Sequence, residues 1–282
     1  ALVGASFVDS KGGATSLKNG SIVDVDASQA AYLAGYASAG MTTTGTLAVI
    51  GGERDNVTSS QMSAFSQGVD AYNLANGTSI TVLGWNPVTS DGTYAGSADE
   101  VRAATADAIS QGADIIAPFA GEANEGAARA VTEAAKPTVR LVWSGLTKND
   151  LKGLTRDEAQ SAEAAPMSGQ SGAPAAQQVD TQSFADAFSY IQISDEVRSA
   201  IGAPVLTGVV VDYKAAMETL IAQAAAGEKA SVVPVSLASG GVILTGFGSY
   251  TPMLSSELKL GLSDMAGQIE TGGMVISTPF DV

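Results

Sequence analysis

The sequence predicts an α/β protein with a mainly parallel β-sheet. Strand-length apolar runs alternate with helix-length segments along most of the 282 residues, which is the pattern of consecutive βα units. Hydrophobic residues make up 45% of the chain, enough to build a core and to exclude a disordered chain. The length allows two domains of ordinary size or one large domain.

The first half of the chain has the most regular alternation. Asp26 and Ser28 are good N-caps for a first helix. The helical spacing of large apolar residues predicts a second helix at 57–74. A third helix is predicted at 97–110, with Ser97 or Asp99 as its N-cap, and a fourth at 125–135, which ends before Pro137. Apolar runs predict strands at residues 1–8, 21–25, 46–51, 80–85, 114–119 and 138–143.

The second half resumes the alternation after an irregular stretch. A strand at 205–211 leads into a helix at 212–226, which Gly227 ends. Residues 232–237 and 241–245 predict a hairpin, followed by a helix at 252–269 and a strand at 274–277. Between the halves, residues 163–178 are rich in Ala, Ser, Gly, Pro and Gln. We predict that these residues form a mobile surface insertion, because they offer little apolar surface to bury.

The composition excludes several classes of function. The net charge of −15 would repel nucleic acids and anionic membrane surfaces. The chain has no Cys and no His, which excludes Ser-His-Asp and thiol chemistry and zinc sites of the usual ligand types. We predict no catalytic residue, no metal and no cofactor, and any catalysis would depend on carboxylates, Lys or Tyr.

Residues at the carboxyl ends of the predicted strands are the candidate binding residues, because ligands of open parallel sheets bind there. The candidates are Gly4, Ser6, Gly51, Arg54, Phe119, Gly121, Glu122, Trp143, Ser144 and Asp212.

Each type of candidate has an alternative interpretation. Gly51 and its neighbour Gly52 either let a ligand approach the backbone or form a tight turn. Phe119 and Trp143 either stack on a flat ligand or pack in the core. Arg54 either contacts a polar ligand or forms a solvated surface pair with the residue that follows it.

Several segments, in this order, resemble the basic membrane protein family. They are AAYLAGY, a strand ending in GG, FSQGVDAYN, QGADIIAPFAGEANEGAARAV, PVLTGVVVDYKAAMETLIAQAAAGE and GGVILTGFGSY. The family comprises substrate-binding lipoproteins of bacterial ABC importers, several of which carry purine nucleosides. The resemblance covers nearly the whole chain except the insertion.

The resemblance implies a type I periplasmic-binding-protein fold, in which two doubly wound lobes hold the ligand in a cleft between them. Lobe one would comprise residues 1–43 and 203–282, incomplete at its N-terminus, with residues 32–39 as its last helix. Lobe two would comprise residues 44–202, with a low-complexity insertion at about 147–202. Residues 41–45 would form the first crossover. Gly4, Ser6 and Asp212 would face the cleft from lobe one, and the other candidates from lobe two.

The chain departs from the family at several polar positions. The strand end at residues 143–145 lies where members usually have aspartates that grip a ribose. Val211 lies where many members have a lysine, and Gly4 where an aspartate is common. The family's alanine-glycine-glycine-threonine-glycine loop is replaced by AGEAN. Each lost hydrogen-bond partner of a ribose hydroxyl would cost about 1 kcal/mol, so the departures weaken the expectation of nucleoside specificity.

The resemblance implies a non-enzymatic, monomeric, extracytoplasmic protein that binds a small neutral or cationic ligand, such as a nucleoside, and delivers it to an ABC permease. It would be periplasmic or anchored to the cell membrane through a lipid on a preceding segment. One alternative is a ligand-sensing receptor domain on the same fold. Another is a carboxylate-based enzyme such as a nucleoside hydrolase. Such an enzyme would release the free base when it is incubated with a nucleoside.

Overall fold

The computed structural model describes residues 2–3, 21–153, 191–228 and 231–279. Strands and helices alternate through most of this part of the chain, as predicted. The strands are β1 (Leu2–Val3), β2 (Ile22–Val25), β3 (Thr46–Gly51), β4 (Thr81–Leu83), β5 (Trp85–Asn86), β6 (Asp91–Gly92), β7 (Ile115–Phe119), β8 (Arg140–Leu146), β9 (Leu151–Lys152), β10 (Gln192–Ile193), β11 (Val205–Val211), β12 (Val232–Val235) and β13 (Val242–Leu244). The helices are α1 (Ser28–Met41), α2 (Asn56–Asn76), α3 (Ala98–Ser110), α4 (Asn124–Ala134), α5 (Asp195–Ile201), α6 (Lys214–Ala225) and α7 (Ser256–Glu270).

The largest sheet has six strands in the order β13-β11-β8-β7-β3-β4. All its neighbouring pairs are parallel except β11 and β13, which are antiparallel. A second sheet, β1-β2-β12, is parallel throughout. Two short antiparallel ribbons, β5-β6 and β9-β10, complete the pairing of the described strands.

Both faces of the six-stranded sheet are buried. Leu47 and Val49 of β3 face one apolar cluster, with α1, α2 and α7, whereas Ala48 and Ile50 face the other, with α3, α4 and α5. Alternate residues of one strand thus enter different layers. Burial on both faces explains why the parallel strands read as continuous apolar runs in the sequence.

Short polar side chains begin several of the helices. Asp55 accepts a hydrogen bond from the backbone N of Thr58 at 2.7 Å at the start of α2. Ser97 and Glu100 form a reciprocal capping box at the start of α3. Gly77 ends α2 with φ at +64°, a conformation that glycine adopts at little cost.

Helices α1 and α2 pack unusually closely through two glycines. A Cβ atom on Gly35 would overlap the carbonyl oxygen of Phe65, and a Cβ atom on Gly68 would overlap the carbonyl oxygen of Tyr32. Each contact brings one helix backbone directly against the other. The small-residue character of the AAYLAGY segment therefore serves helix packing.

The turn between α1 and β3 is fixed by a buried carboxylate. Asp114, 1% exposed, accepts hydrogen bonds from the hydroxyls of Thr42 (2.5 Å) and Thr43 (2.7 Å) and from the backbone N of Thr43 (2.6 Å) and Thr44 (3.2 Å). Asp114 directly precedes β7, so it ties this turn to the neighbouring strand.

The observed pairing differs from the predicted lobes. Residues 205–211 and 242–244, assigned to lobe one from the sequence, are strands of the six-stranded sheet, next to β8. The helix at 32–39 packs on α2 and this sheet instead of completing lobe one. The first crossover predicted at residues 41–45 is instead the end of α1 and the turn to β3, the strand against which α1 packs. The step from the smaller sheet to the larger one comes earlier, between β2 and α1.

Two further predictions are wrong. The predicted hairpin does not form, because β12 pairs with β2 and β13 pairs with β11, in different sheets. Residues 274–277 form no strand. The insertion predicted at 163–178 lies outside the described residues.

Candidate functional site

The candidate site is the carboxyl edge of the six-stranded sheet. The order β11-β8-β7-β3 brings the ends of four parallel strands together, and each end opens into a loop. These strand ends and loops hold eight of the ten predicted site residues. Gly4 and Ser6 lie outside the described residues, so their roles stay predictions.

An ion pair joins the ends of β11 and β8. Asp212 Oδ2 lies 3.5 Å from Lys148 Nζ, and the Asp212 side chain is 13% exposed while that of Lys148 is 42% exposed. Asp212 Oδ1 also accepts a hydrogen bond from the backbone N of Lys214 at 2.9 Å, at the start of α6. This carboxylate is held in place by the fold but still reaches solvent.

Lys148 was not among the predicted site residues. It lies on a short 3-10 helix, Lys148–Asp150, which Thr147 and Asp150 cap reciprocally. A charged residue in a polar loop carries no periodic signal of its own. The available clue was its position in the sequence. Lys148 follows Ser144, which lies at the end of a predicted strand, by four residues.

Ser144 and Asn124 lock the β7 and β8 loops together. The buried Ser144 hydroxyl donates to the carbonyl oxygen of Pro118 at 2.6 Å and accepts from Asn124 Nδ2 at 3.0 Å. Asn124 Oδ1 in turn accepts a hydrogen bond from the backbone N of Ala120 at 2.8 Å. With its hydroxyl occupied in this way, Ser144 positions the loops and is not free to bind a ligand as predicted.

Two of the predicted ligand-binding residues, Phe119 and Gly51, contribute to the packing of the core. Phe119 is 5% exposed and meets Phe65 edge-to-face, with ring centroids 6.4 Å apart, so its ring face is not available to stack on a ligand. A Cβ atom on Gly51 would lie 2.7 to 2.8 Å from side-chain atoms of Met62, Tyr94 and Thr58. Glycine is required at position 51 by these neighbours, and not by close approach of a ligand.

Gly121 and Glu122 lie in the exposed loop after β7, in a short 3-10 helix, Gly121–Ala123. Gly121 has φ at +59° with open space around its Cα, and the Glu122 side chain faces solvent. Arg54 is 64% exposed and pairs with Asp91 at 3.3 Å, not with Asp55. The alternative of a surface pair therefore describes Arg54 better than a ligand contact does.

Trp143 is half-buried and borders an open cavity of about 660 Å³ between β8, α4 and α5. Apolar side chains form much of its wall, and three acidic side chains lie at its rim, of which two are paired with arginines. Members of the wall are Trp143, Leu146, Ala128, Val197, Ala200 and Ile201, and the acids are Glu125, Glu133 and Asp150. An aromatic surface beside carboxylates suits a flat neutral or cationic molecule.

Among the residues that the structure describes, no group of acidic side chains is arranged to hold a metal ion. In the same part of the chain, no helix has the length and apolarity that crossing a membrane requires.

Comparison with known proteins gives one family. Residues 6–148 match the family model described as ABC transporter substrate-binding protein, PnrA-like. No curated protein sequence matches the chain.

Solved structures show the same fold at low sequence identity. A solute-binding protein of an ABC transporter system from Aeropyrum pernix K1 is 15% identical, with a TM-score of 0.63 over 99% of this chain and 70% of that protein. One from Conexibacter woesei DSM 14684 is 14% identical, with a TM-score of 0.54 over 93% and 67%. A transcriptional activator of the comK gene from Bacillus halodurans is also 14% identical, with a TM-score of 0.54 over 95% and 70%. These likenesses show a type I periplasmic-binding-protein fold.

Proposed function

Because the chain belongs to the family of PnrA-like substrate-binding proteins of ABC transporters, we propose that it binds a small neutral or cationic solute and delivers it to a membrane permease. It acts outside the cytoplasm, as a monomer and without catalysis. The solute is a nucleoside or a molecule of similar size with hydroxyl or amino groups.

The observation that carries this proposal is the Lys148–Asp212 pair at the carboxyl edge. Its separation of 3.5 Å is longer than a charge-assisted hydrogen bond, so both groups keep bonding capacity for a ligand. Asp212 would accept hydrogen bonds from hydroxyl or amino groups, and Lys148 would donate one. Lys148 also supplies a cation near the end of β11, where Val211 replaces the lysine common in the family.

The surroundings of the pair favour a solute without negative charge. Glu122 is exposed on the neighbouring loop, and Trp143 offers an apolar surface for a flat ring. The net charge of −15 disfavours an anion such as a nucleotide. We propose that the smaller sheet, β1-β2-β12, belongs to lobe one and that Gly4 and Ser6 face the cleft from there.

Calorimetry with a nucleoside and its 5′-monophosphate tests the proposed ligand class. We expect stoichiometric binding of the nucleoside and at least tenfold weaker binding of the monophosphate, because the net charge of −15 and the Asp212 carboxylate repel the phosphate. Equal or tighter binding of the monophosphate would contradict this charge preference. Release of free base during the titration would contradict a purely binding role.

Substitution of the pair tests the proposed site. Asp212→Asn should weaken binding of the solute by about tenfold to a hundredfold, since a hydrogen bond to a charged group contributes about 1.5 to 3 kcal/mol. Lys148→Met should weaken it less, because Asp212 keeps its bond to the Lys214 backbone.

Asp107→Asn is the matched control for this experiment, because Asp107 lies on α3 and bonds Gln111 within its own helix. Solute affinity should be unchanged in this variant. If Asp212→Asn and Asp107→Asn bound the solute equally well, the ligand would not contact this edge of the sheet.

A further inference from the structure

Two arginines meet one aromatic ring at the amino edge of the six-stranded sheet, opposite the candidate site. Arg140 opens β8, is 5% exposed, and has its Cζ 4.9 Å from the ring centroid of Tyr250. Arg198 lies on α5 and donates through Nη1 to the carbonyl oxygen of Val205 at 2.9 Å, where β11 begins. The Tyr250 and Arg198 side chains also interact electrostatically. Both guanidinium groups therefore lie next to Tyr250.

Three donor nitrogens of these arginines are buried without an acceptor. Arg140 Nε, Arg140 Nη1 and Arg198 Nη2 have no hydrogen-bond partner among the described residues. The Arg140 guanidinium lies over the Tyr250 ring, with Cζ 4.9 Å from the centroid. An aromatic ring face accepts hydrogen bonds only weakly, so the ring is a poor substitute for an oxygen acceptor.

The charges of the two arginines are also poorly compensated. Within the described part of the chain, no carboxylate lies within ion-pair distance of Arg140. Burial lowers the pKa of Arg198, and the nearby Tyr250 and Asp195 groups only oppose that effect. Buried cations of this kind are usually paired with an anion. In a protein with a net charge of −15, this is a local concentration of positive charge.

The polypeptide packs closely against one of these donors. Gly248 has φ at +53°, and a Cβ atom there would lie 3.1 Å from Arg198 Nη2. Gly248 opens a 3-10 helix, Gly248–Met253, whose Ser249 and Met253 are exposed. Tyr250 belongs to this segment, so a displacement of the segment carries the ring away from Arg140 and exposes the donors to solvent.

We propose that Arg140 and Arg198 bind one small oxyanion, a phosphate or a carboxylate, when a displacement of residues 248–253 exposes their donors, at a site separate from the solute site. Guanidinium groups match the geometry of such oxyanions through paired N–H···O bonds. The ion enters from the side of the 3-10 helix and supplies the missing acceptors. The bound ion then holds this segment against both arginines and stabilises the amino edge of the sheet.

Thermal unfolding of the full chain tests this proposal, with inorganic phosphate in one arm and acetate in the other, both at constant ionic strength. A ligand that binds only the folded state raises Tm in a saturable way. We expect such a rise with at least one anion, and the arm that shows it identifies phosphate or carboxylate as the preferred group. No saturable rise in either arm would overturn the proposal.

Two variants locate the effect. Arg198→Gln should require at least tenfold more anion for the same rise in Tm, whereas Arg129→Gln should respond like the unmodified protein, because Arg129 is an exposed arginine paired with Glu125 on α4. Arg198 is used because the more deeply buried Arg140 is needed for β8 to pack. An equal anion response in Arg198→Gln would overturn the proposal.

Hydrogen exchange supplies a readout that does not depend on the variants. The saturating anion should slow amide exchange in residues 247–253 and leave the loops of the carboxyl edge unchanged. Protection at the carboxyl edge alone would place the anion in the solute site and overturn the proposal.

Discussion

Gly68→Ala is expected to lower the free energy of unfolding by about 3 kcal/mol or more, the upper end of the range for overpacked cores. The new methyl group would overlap the carbonyl oxygen of Tyr32. Both partners are helix backbone, so relief requires α1 and α2 to move apart and loosens the core that they share. Urea unfolding monitored by circular dichroism measures the change.

Gly267→Ala provides the control, because Gly267 also lies inside a helix, α7, but a Cβ atom there meets nothing within 4 Å. Alanine there should stabilise the protein slightly, by about 0.5 kcal/mol, through its better helix propensity. If Gly68→Ala were as stable as Gly267→Ala, the two helices would not be in backbone contact.

Asp114→Ala is expected to cost about 3 kcal/mol of stability, because the variant loses four hydrogen bonds to a buried carboxylate. The backbone N of Thr43 and Thr44 would need water as a new acceptor. Chemical unfolding measures the loss, and hydrogen exchange at residues 42–45 should become faster.

The comparison for this prediction is Asp107→Ala, which removes an exposed aspartate bonded only within its own helix. Its cost should stay below about 0.5 kcal/mol, as for ordinary surface substitutions. Similar losses in the two variants would show that Asp114 does not hold the turn.

The sequence predicted the elements better than their partners. Amphipathic spacing and capping residues are local, so helices such as α2 and α3 were located within two residues of their observed ends. Strand pairing joins distant parts of the chain, so the sequence around a strand does not indicate which strand it will pair with. The predicted hairpin was wrong for this reason, because β12 and β13 are close in sequence but pair in different sheets.

The candidate binding residues stay predictions, but the structure shows which of their side chains remain accessible. The rule that ligands of open parallel sheets bind at the carboxyl ends of strands singled out Asp212, Glu122 and Trp143, which all reach solvent. It could not separate residues that face solvent from residues that fasten the loops, and so Ser144 and Phe119 were assigned ligand contacts. Whether a side chain already has its hydrogen bonds satisfied depends on neighbours that are distant in sequence. Asn124, for example, meets Ser144 only in the folded chain.

The different environments of the two tryptophans give the protein a built-in optical probe. The chain contains only Trp85 and Trp143, and Trp85 is 7% exposed while Trp143 borders the open cavity beside the site. Collisional quenchers dissolved in water therefore reach one indole and not the other. Intrinsic emission from Trp143 can report events at this edge of the sheet without an attached dye.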